Sequence, residues 1–301
     1  MKVTVSLVLG SGGARGYAHI GVIEELERRG YRIKAIAGSS MGALIGGLYA
    51  AGSLADYRDW VLGLKRIDIL RLMDVTFSRG AIRGDRVFAR LKGIVGDPLI
   101  ESLPIPFTAV ATDLAHQKEV WFQSGPLLEA LRASVAVPGF FTPVIKHNRV
   151  LVDGGVLNPL PIIPTVAAHA DIIVAVDLNT SRYRMPVVEM PHNAHLDQTG
   201  FGDDKPGERQ DSDSERVERN HKERFAGRMD ILLSSVEAMQ SSLSEYKIAG
   251  YPPDLTINVP KEAGSFYEFH RAAEMIELGR EIARERLAAL EQGRLVEELG
   301  Y

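Results

Sequence analysis

The sequence predicts an α/β fold with a mostly parallel sheet covered by helices on both faces. Strand-like apolar runs alternate with helical periodicities from the first residues onward, glycine-rich turns separate the two, and no internal repeat interrupts the alternation. Val3 to Leu9 is a β-branched apolar run halted by Gly10-Ser11-Gly12-Gly13, which reads as a buried strand and a tight loop. Ala18 to Arg29 sets Ile20, Val22, Ile23 and Leu26 on one helical face with charges outside, and Gly30 closes that helix. Ile33 to Ala37 is the second strand and Met41 to Ala51 the second helix.

Further strands are expected at Phe107 to Thr112, Val150 to Val152 and Ile172 to Asp177, with a helix over Leu127 to Val135 before Pro138-Gly139. From Arg182 to Arg228 the composition changes. Asp203 to Arg228 alone carries eight acidic and seven basic residues and few apolar ones, so the segment at about 182–228 is expected to be a polar, disordered insertion. Within it, Met185, Val187, Val188, Met190 and Pro191 offer a contact for an acyl chain or a lipid surface, against the competing reading of a solvated loop without a role. Helical spacing resumes over Met229 to Tyr246, a strand follows at Leu255 to Val259, and a last helix runs from Phe266 to about Leu290. Strands on both sides of the insertion predict one domain, residues 1–301.

Composition narrows the function. Of the 301 residues, 45% are hydrophobic and 25% charged, the proportions of a soluble globular chain. There is no cysteine, which removes disulfides, thiolate metal sites and a cysteine nucleophile. A net charge of -4 argues against nucleic acid as a partner. No apolar run reaches the ~18 residues of a membrane span, and the start lacks a signal-peptide cleavage site, so a cytoplasmic protein is expected.

Three clusters can carry chemistry. Gly38-Ser39-Ser40-Met41-Gly42 is a G-x-S-x-G between a predicted strand and a predicted helix. That geometry lifts a serine hydroxyl above a sheet and needs small residues two before and two after it; a small-residue turn that only lets the helix pack closely remains the competing reading. Gly10-Ser11-Gly12-Gly13-Ala14-Arg15-Gly16 opens the first helix, where exposed N–H groups bind an anion. A dinucleotide loop is the weaker of two readings: counted from Gly10 the sixth position is Arg15, and the acidic residue expected after strand two is absent. The alternative is an oxyanion hole. Asp153-Gly154-Gly155 ends a strand, where an aspartate can serve as a base or simply cap its own turn. A triad would want a histidine after Asp153, and none of those takes a strand-end position: His169 and His270 are expected on helices, and His192, His195 and His221 in the insertion. If Ser40 is the nucleophile, Asp153 is the candidate to accept its proton directly.

With these residues the sequence resembles the bacterial patatin-like phospholipases, related to the catalytic domain of neuropathy target esterase. The resemblance rests on Leu9 to Gly16 with Ala18-His19-Ile20-Gly21-Val22, on Gly38 to Gly42, and on Asp153-Gly154-Gly155, supported by Ala133-Ser134 and Pro138. It implies a three-layer α/β/α fold, a single patatin-like catalytic domain, no metal or cofactor, and hydrolysis of lipid esters, in peripheral contact with a membrane surface. Carried over by position, Ser40 is the nucleophile and Asp153 its base, with Gly12, Gly13, Ala14 and Arg15 forming the oxyanion hole. Gly10, Gly16, Gly38, Gly42, Gly154 and Gly155 support these motifs. Ser11 stands where many members carry a glycine, and a positive φ there would strain it. An acyltransferase using the same site, or a regulatory protein that binds without turnover, are the alternatives to a hydrolase.

Overall fold

The computed structural model describes residues 2–72, 75–76, 81–146, 148–180 and 228–293. The expected insertion, with His192, His195, His221 and the apolar residues Met185 to Met190, lies outside them, except for Arg228 at its end. In chain order the elements are β1 (Thr4–Leu9), α1 (Ala18–Arg28), β2 (Arg32–Ser39), α2 (Met41–Ala50), α3 (Leu54–Leu62), α4 (Arg66–Leu72), β3 (Val75–Thr76), β4 (Ala81–Ile82), α5 (Asp85–Val95), β5 (Phe107–Asp113), β6 (Lys118–Phe122), α6 (Leu127–Ser134), β7 (Val144–Lys146), β8 (Arg149–Asp153), α7 (Ile163–Val166), β9 (Ile172–Thr180), α8 (Arg228–Gly250), β10 (Leu255–Pro260) and α9 (Ala272–Glu291).

Among the described residues the main sheet has eight strands, in the order β10-β9-β1-β2-β5-β8-β7 with β6 also paired to β5. It is mixed. From β10 to β5 all neighbours are parallel, whereas β6, β7 and β8 join by antiparallel pairing. Side chains alternate across it with the period of two that a pleated strand imposes. Leu7, Leu9, Val174 and Val176 enter the large core with α1, α2 and α9, while Val8 and Ala175 meet Leu160, Ile162 and Ile248 on the other face. Helices therefore cover both faces, α7 and α8 taking the second.

The pairing of β5 places the site. Its residues 107–110 pair with β2, 111–113 with β8 and 109–113 with β6. A strand has two hydrogen-bonding edges, so β2 and β8 share one edge of β5 and β6 holds the other. β2 and β8 thus lie end to end and run toward each other. Ser39 aligns with Val110 and Asp153 with Ala111, so their carboxyl ends meet one residue apart in register.

Several elements differ from expectation. Helices α3, α4 and α5 have no counterpart among the elements expected from the sequence. The last helix begins at Ala272, after a 3₁₀ turn at Phe269–Arg271 that holds His270. His169 follows α7 with φ 48, in a turn and not on a helix.

Candidate active site

The strand–turn–helix around Ser40 has the strained geometry that exposes a hydroxyl. Ser40 has φ 56 and ψ −126, a conformation that a non-glycine residue holds at a cost of roughly 1–3 kcal/mol. The surroundings impose it. The Ser40 N–H donates to Ser134 Oγ at 3.0 Å, and the Ser134 hydroxyl donates to Val110 O at 2.6 Å, tying the turn to β5. The Ser40 carbonyl accepts from Leu44 N–H as α2 begins. Gly38 and Gly42 are required for space, since a β-carbon at Gly38 would fall 2.5 Å from Ala43 N and one at Gly42 would collide with the Leu9 carbonyl. The N-terminal end of α2 points its partial positive charge at Ser40.

Asp153 arrives on β8 and accepts two hydrogen bonds: Ser40 Oγ donates to Oδ2 at 2.5 Å, and the Gly155 N–H donates to Oδ1 at 2.7 Å. Both side chains are buried, Ser40 to 4% exposure and Asp153 to 1%. Burial pushes the Asp153 carboxyl up to about 7, against the two hydrogen bonds, which favour the carboxylate. Gly154 packs on the Val110 carbonyl and Gly155 against Gln240, leaving neither room for a side chain.

The glycine loop lies beside them. Gly10 N–H donates to Val176 O and Ser11 N–H to Pro159 O, while the Ala14 N–H donates to Phe266 O at 2.8 Å. Ala14 is therefore removed from the expected donors, because its N–H is already taken. The Arg15 guanidinium is buried, with Nη1 donating to Glu237 Oε1 at 2.9 Å and Gly264 O at 3.0 Å, so it braces the loop from the side away from the cavity lining. The N–H groups of Gly12 and Gly13 have no partner among the described residues. Gly13 has φ +58 and packs on Phe266, while Gly16 leaves room for Met41. Positive φ at non-glycine residues falls on Ser40, Gln117, Asn148 and His169, so Ser11 carries no such strain.

His19 is buried, and its Nε2 lies 2.8 Å from Gly10 O. A carbonyl only accepts, so this nitrogen carries the proton, and burial lowers the imidazole to about 4, leaving it neutral at pH 7. Ser40 and Gly13 open onto a cavity of about 120 Å³ whose other walls are almost wholly apolar, among them Leu44, Trp60, Leu72, Phe88, Phe140 and Phe266. An apolar lining of this kind suits a hydrocarbon chain. The residues from α3, α4 and α5 went unread in the sequence, although Leu54, Tyr57 and Val61 on α3 and Val87, Leu91 and Ile94 on α5 do follow helical spacing. Among the described residues no three His, Asp or Glu side chains are placed to hold a metal ion, and no helix is long and apolar enough to cross a membrane.

A buried, hydrogen-bonded Ser–Asp pair thus lies at the end of a β-α unit, beside loop N–H groups and an apolar cavity. The family model described as patatin-like phospholipase matches residues 7–166. A protein of Mycobacterium tuberculosis named as an uncharacterized NTE family protein is 40% identical over 95% of this chain and 92% of its own length. The mouse patatin-like phospholipase domain-containing protein 6 is 31% identical over 59% of this chain, a match that spans 14% of the mouse protein. The crystal structure of VipD from Legionella pneumophila superposes with a TM-score of 0.56 at 16% identity, covering 96% of this chain and 67% of that one, and so shares the fold. The chain belongs to the patatin-like phospholipase family. Membership supports lipid hydrolysis.

Proposed function

We propose that this protein is a serine acyl hydrolase that cleaves the carboxylic esters of phospholipids or lysophospholipids through a Ser40–Asp153 dyad. The observation that carries the reading is the 2.5 Å hydrogen bond from Ser40 Oγ to Asp153 Oδ2 at the wall of an apolar cavity. In this mechanism Asp153 takes the hydroxyl proton as Ser40 Oγ attacks the ester carbonyl carbon. The N–H groups of Gly12 and Gly13 receive the developing oxyanion. Collapse expels the alcohol, which takes the proton back from Asp153, and water, activated by the same carboxylate, then releases the fatty acid from Ser40. The acyl chain lies in the cavity, and the lipid is met at a membrane surface. Residues 1–301 act as one catalytic domain, a reading supported by β9 and β10, which lie beyond the matched residues and yet complete the same sheet.

The test is an ester panel, from short aryl esters to micellar phospholipids, run on the wild type beside Ser40→Ala. Hydrolysis is expected from the wild type and at most a trace from the variant. Equal turnover by both would defeat the assignment. Transfer of the acyl group to added alcohols in preference to water would make the enzyme an acyltransferase.

A further inference from the structure

Helix α8 meets the glycine loop with a polar face. Glu237 and Gln240 lie three residues apart and therefore share one side of the helix. Gln240 is buried, and its Oε1 accepts from Ser11 Oγ at 3.1 Å; Glu237 holds the buried Arg15. Ser11 and Arg15 flank the two glycines whose N–H groups are free. The backbone on either side is already fixed, by Asn179 Nδ2 donating to Ser11 O at 3.0 Å and by the Ala14 N–H bond to Phe266. Gln240 also borders the other half of the site. A β-carbon built at Gly155 would lie 2.4 Å from Gln240 Nε2, 2.9 Å from Ser11 Oγ and 3.0 Å from Asp153 Oδ1, so the three groups surround one small space.

A loop of glycines has no side chains with which to hold itself in place, and oxyanion donors act only when held within a few tenths of an ångström. We propose that Gln240, through Ser11, and Glu237, through Arg15, are positioning residues that aim the Gly12 and Gly13 N–H groups at the acyl oxygen. This rests on the acyl hydrolase reading.

The experiment measures kcat and KM on a soluble aryl ester, with active sites counted by fluorophosphonate labelling and folding followed by thermal unfolding. Gln240→Met keeps the side chain's length and removes its hydrogen bonds. It should lower kcat per labelled site by about 10-fold, less than the ~10²–10³ lost with an outright donor, and leave KM within about twofold. Ser11→Ala should do the same, and the double variant should lose no more than either single one, because both remove one contact. Glu237→Gln, acting on the other end of the loop, should add its own loss to that of Gln240→Met. Unchanged kcat per labelled site in Gln240→Met, or independent losses from Ser11→Ala and Gln240→Met, would overturn the proposal. A loss confined to the number of labelled sites would do so too, since it would mark α8 as merely structural. A wild type that fails to react with the fluorophosphonate would instead bring down the hydrolase reading beneath it, a result distinct from every variant outcome.

Discussion

Strands β2 and β8 bring Ser40 and Asp153 to one point by different routes. β2 belongs to the parallel half of the sheet and passes straight into α2, so its serine is shaped by a strained turn, two close-packed glycines and a bond to Ser134, 94 residues along the chain. β8 belongs to the antiparallel edge and runs back along β5 until its end abuts that of β2. Its aspartate is placed by register against β5. Backbone strain therefore presents the hydroxyl, while antiparallel register supplies the acid and buries it.

The strongest way to break this arrangement is to remove either end. Asp153→Asn should abolish nearly all ester hydrolysis, as Ser40→Ala does, and combining them should cost little more, since both act on one proton transfer. Steady-state rates of the folded variants check this, and clearly multiplicative losses would show that the two ends act separately. Next in size is Gly13→Ala. A side chain there meets Phe266 and demands a positive φ, so the N–H rotates away, and kcat should fall by ~10²–10³ with little change in KM.

The raised Asp153 carboxyl sharpens the comparison through pH. Its folded value of about 7 lies above the ordinary 3.8, so the native state binds the proton more tightly than the unfolded chain does. This group's contribution is thus fully present below pH 3.8 and is lost as pH rises toward 7, at about 1.4 kcal/mol per unit, after which it levels off. Asp153→Asn should accordingly gain stability over the wild type between pH 4 and 7, read from paired thermal melts. Activity should run the opposite way in the wild type, rising through pH 7 as the base ionises. The smallest effect belongs to Ser134→Ala, which leaves the Ser40 N–H buried without its acceptor. It should cost about 1–3 kcal/mol in denaturant unfolding and reduce activity only modestly.

The parallel half was legible because its signals are local: an apolar run, a glycine turn and a helical period follow one another within about forty residues of β1 and β2. Ser40 and Asp153 were legible for the same reason, each lying at the end of a short apolar run. The direction of β8 was not, because the sequence of Arg149 to Asp153 carries no mark of whether β5 receives it parallel or antiparallel. Helix α8 was found as a helix, but its role was hidden. It turns Gln240 and Ser244 inward, so hydrophobic periodicity cannot tell which face is buried. The partner of the Ala14 N–H was equally hidden, since it comes from Phe266, some 250 residues along the chain.

The end-to-end meeting of β2 and β8 also sets an order of events. Each strand can form with its immediate neighbours, but neither fixes the distance between the serine and the aspartate, which are 113 residues apart. That distance is settled only when both have docked on the same edge of β5, and contacts so far separated in sequence form slowly. A refolding chain should therefore recover its helical circular dichroism before its ability to react with an acylating probe, and simultaneous recovery of the two signals would refute this order.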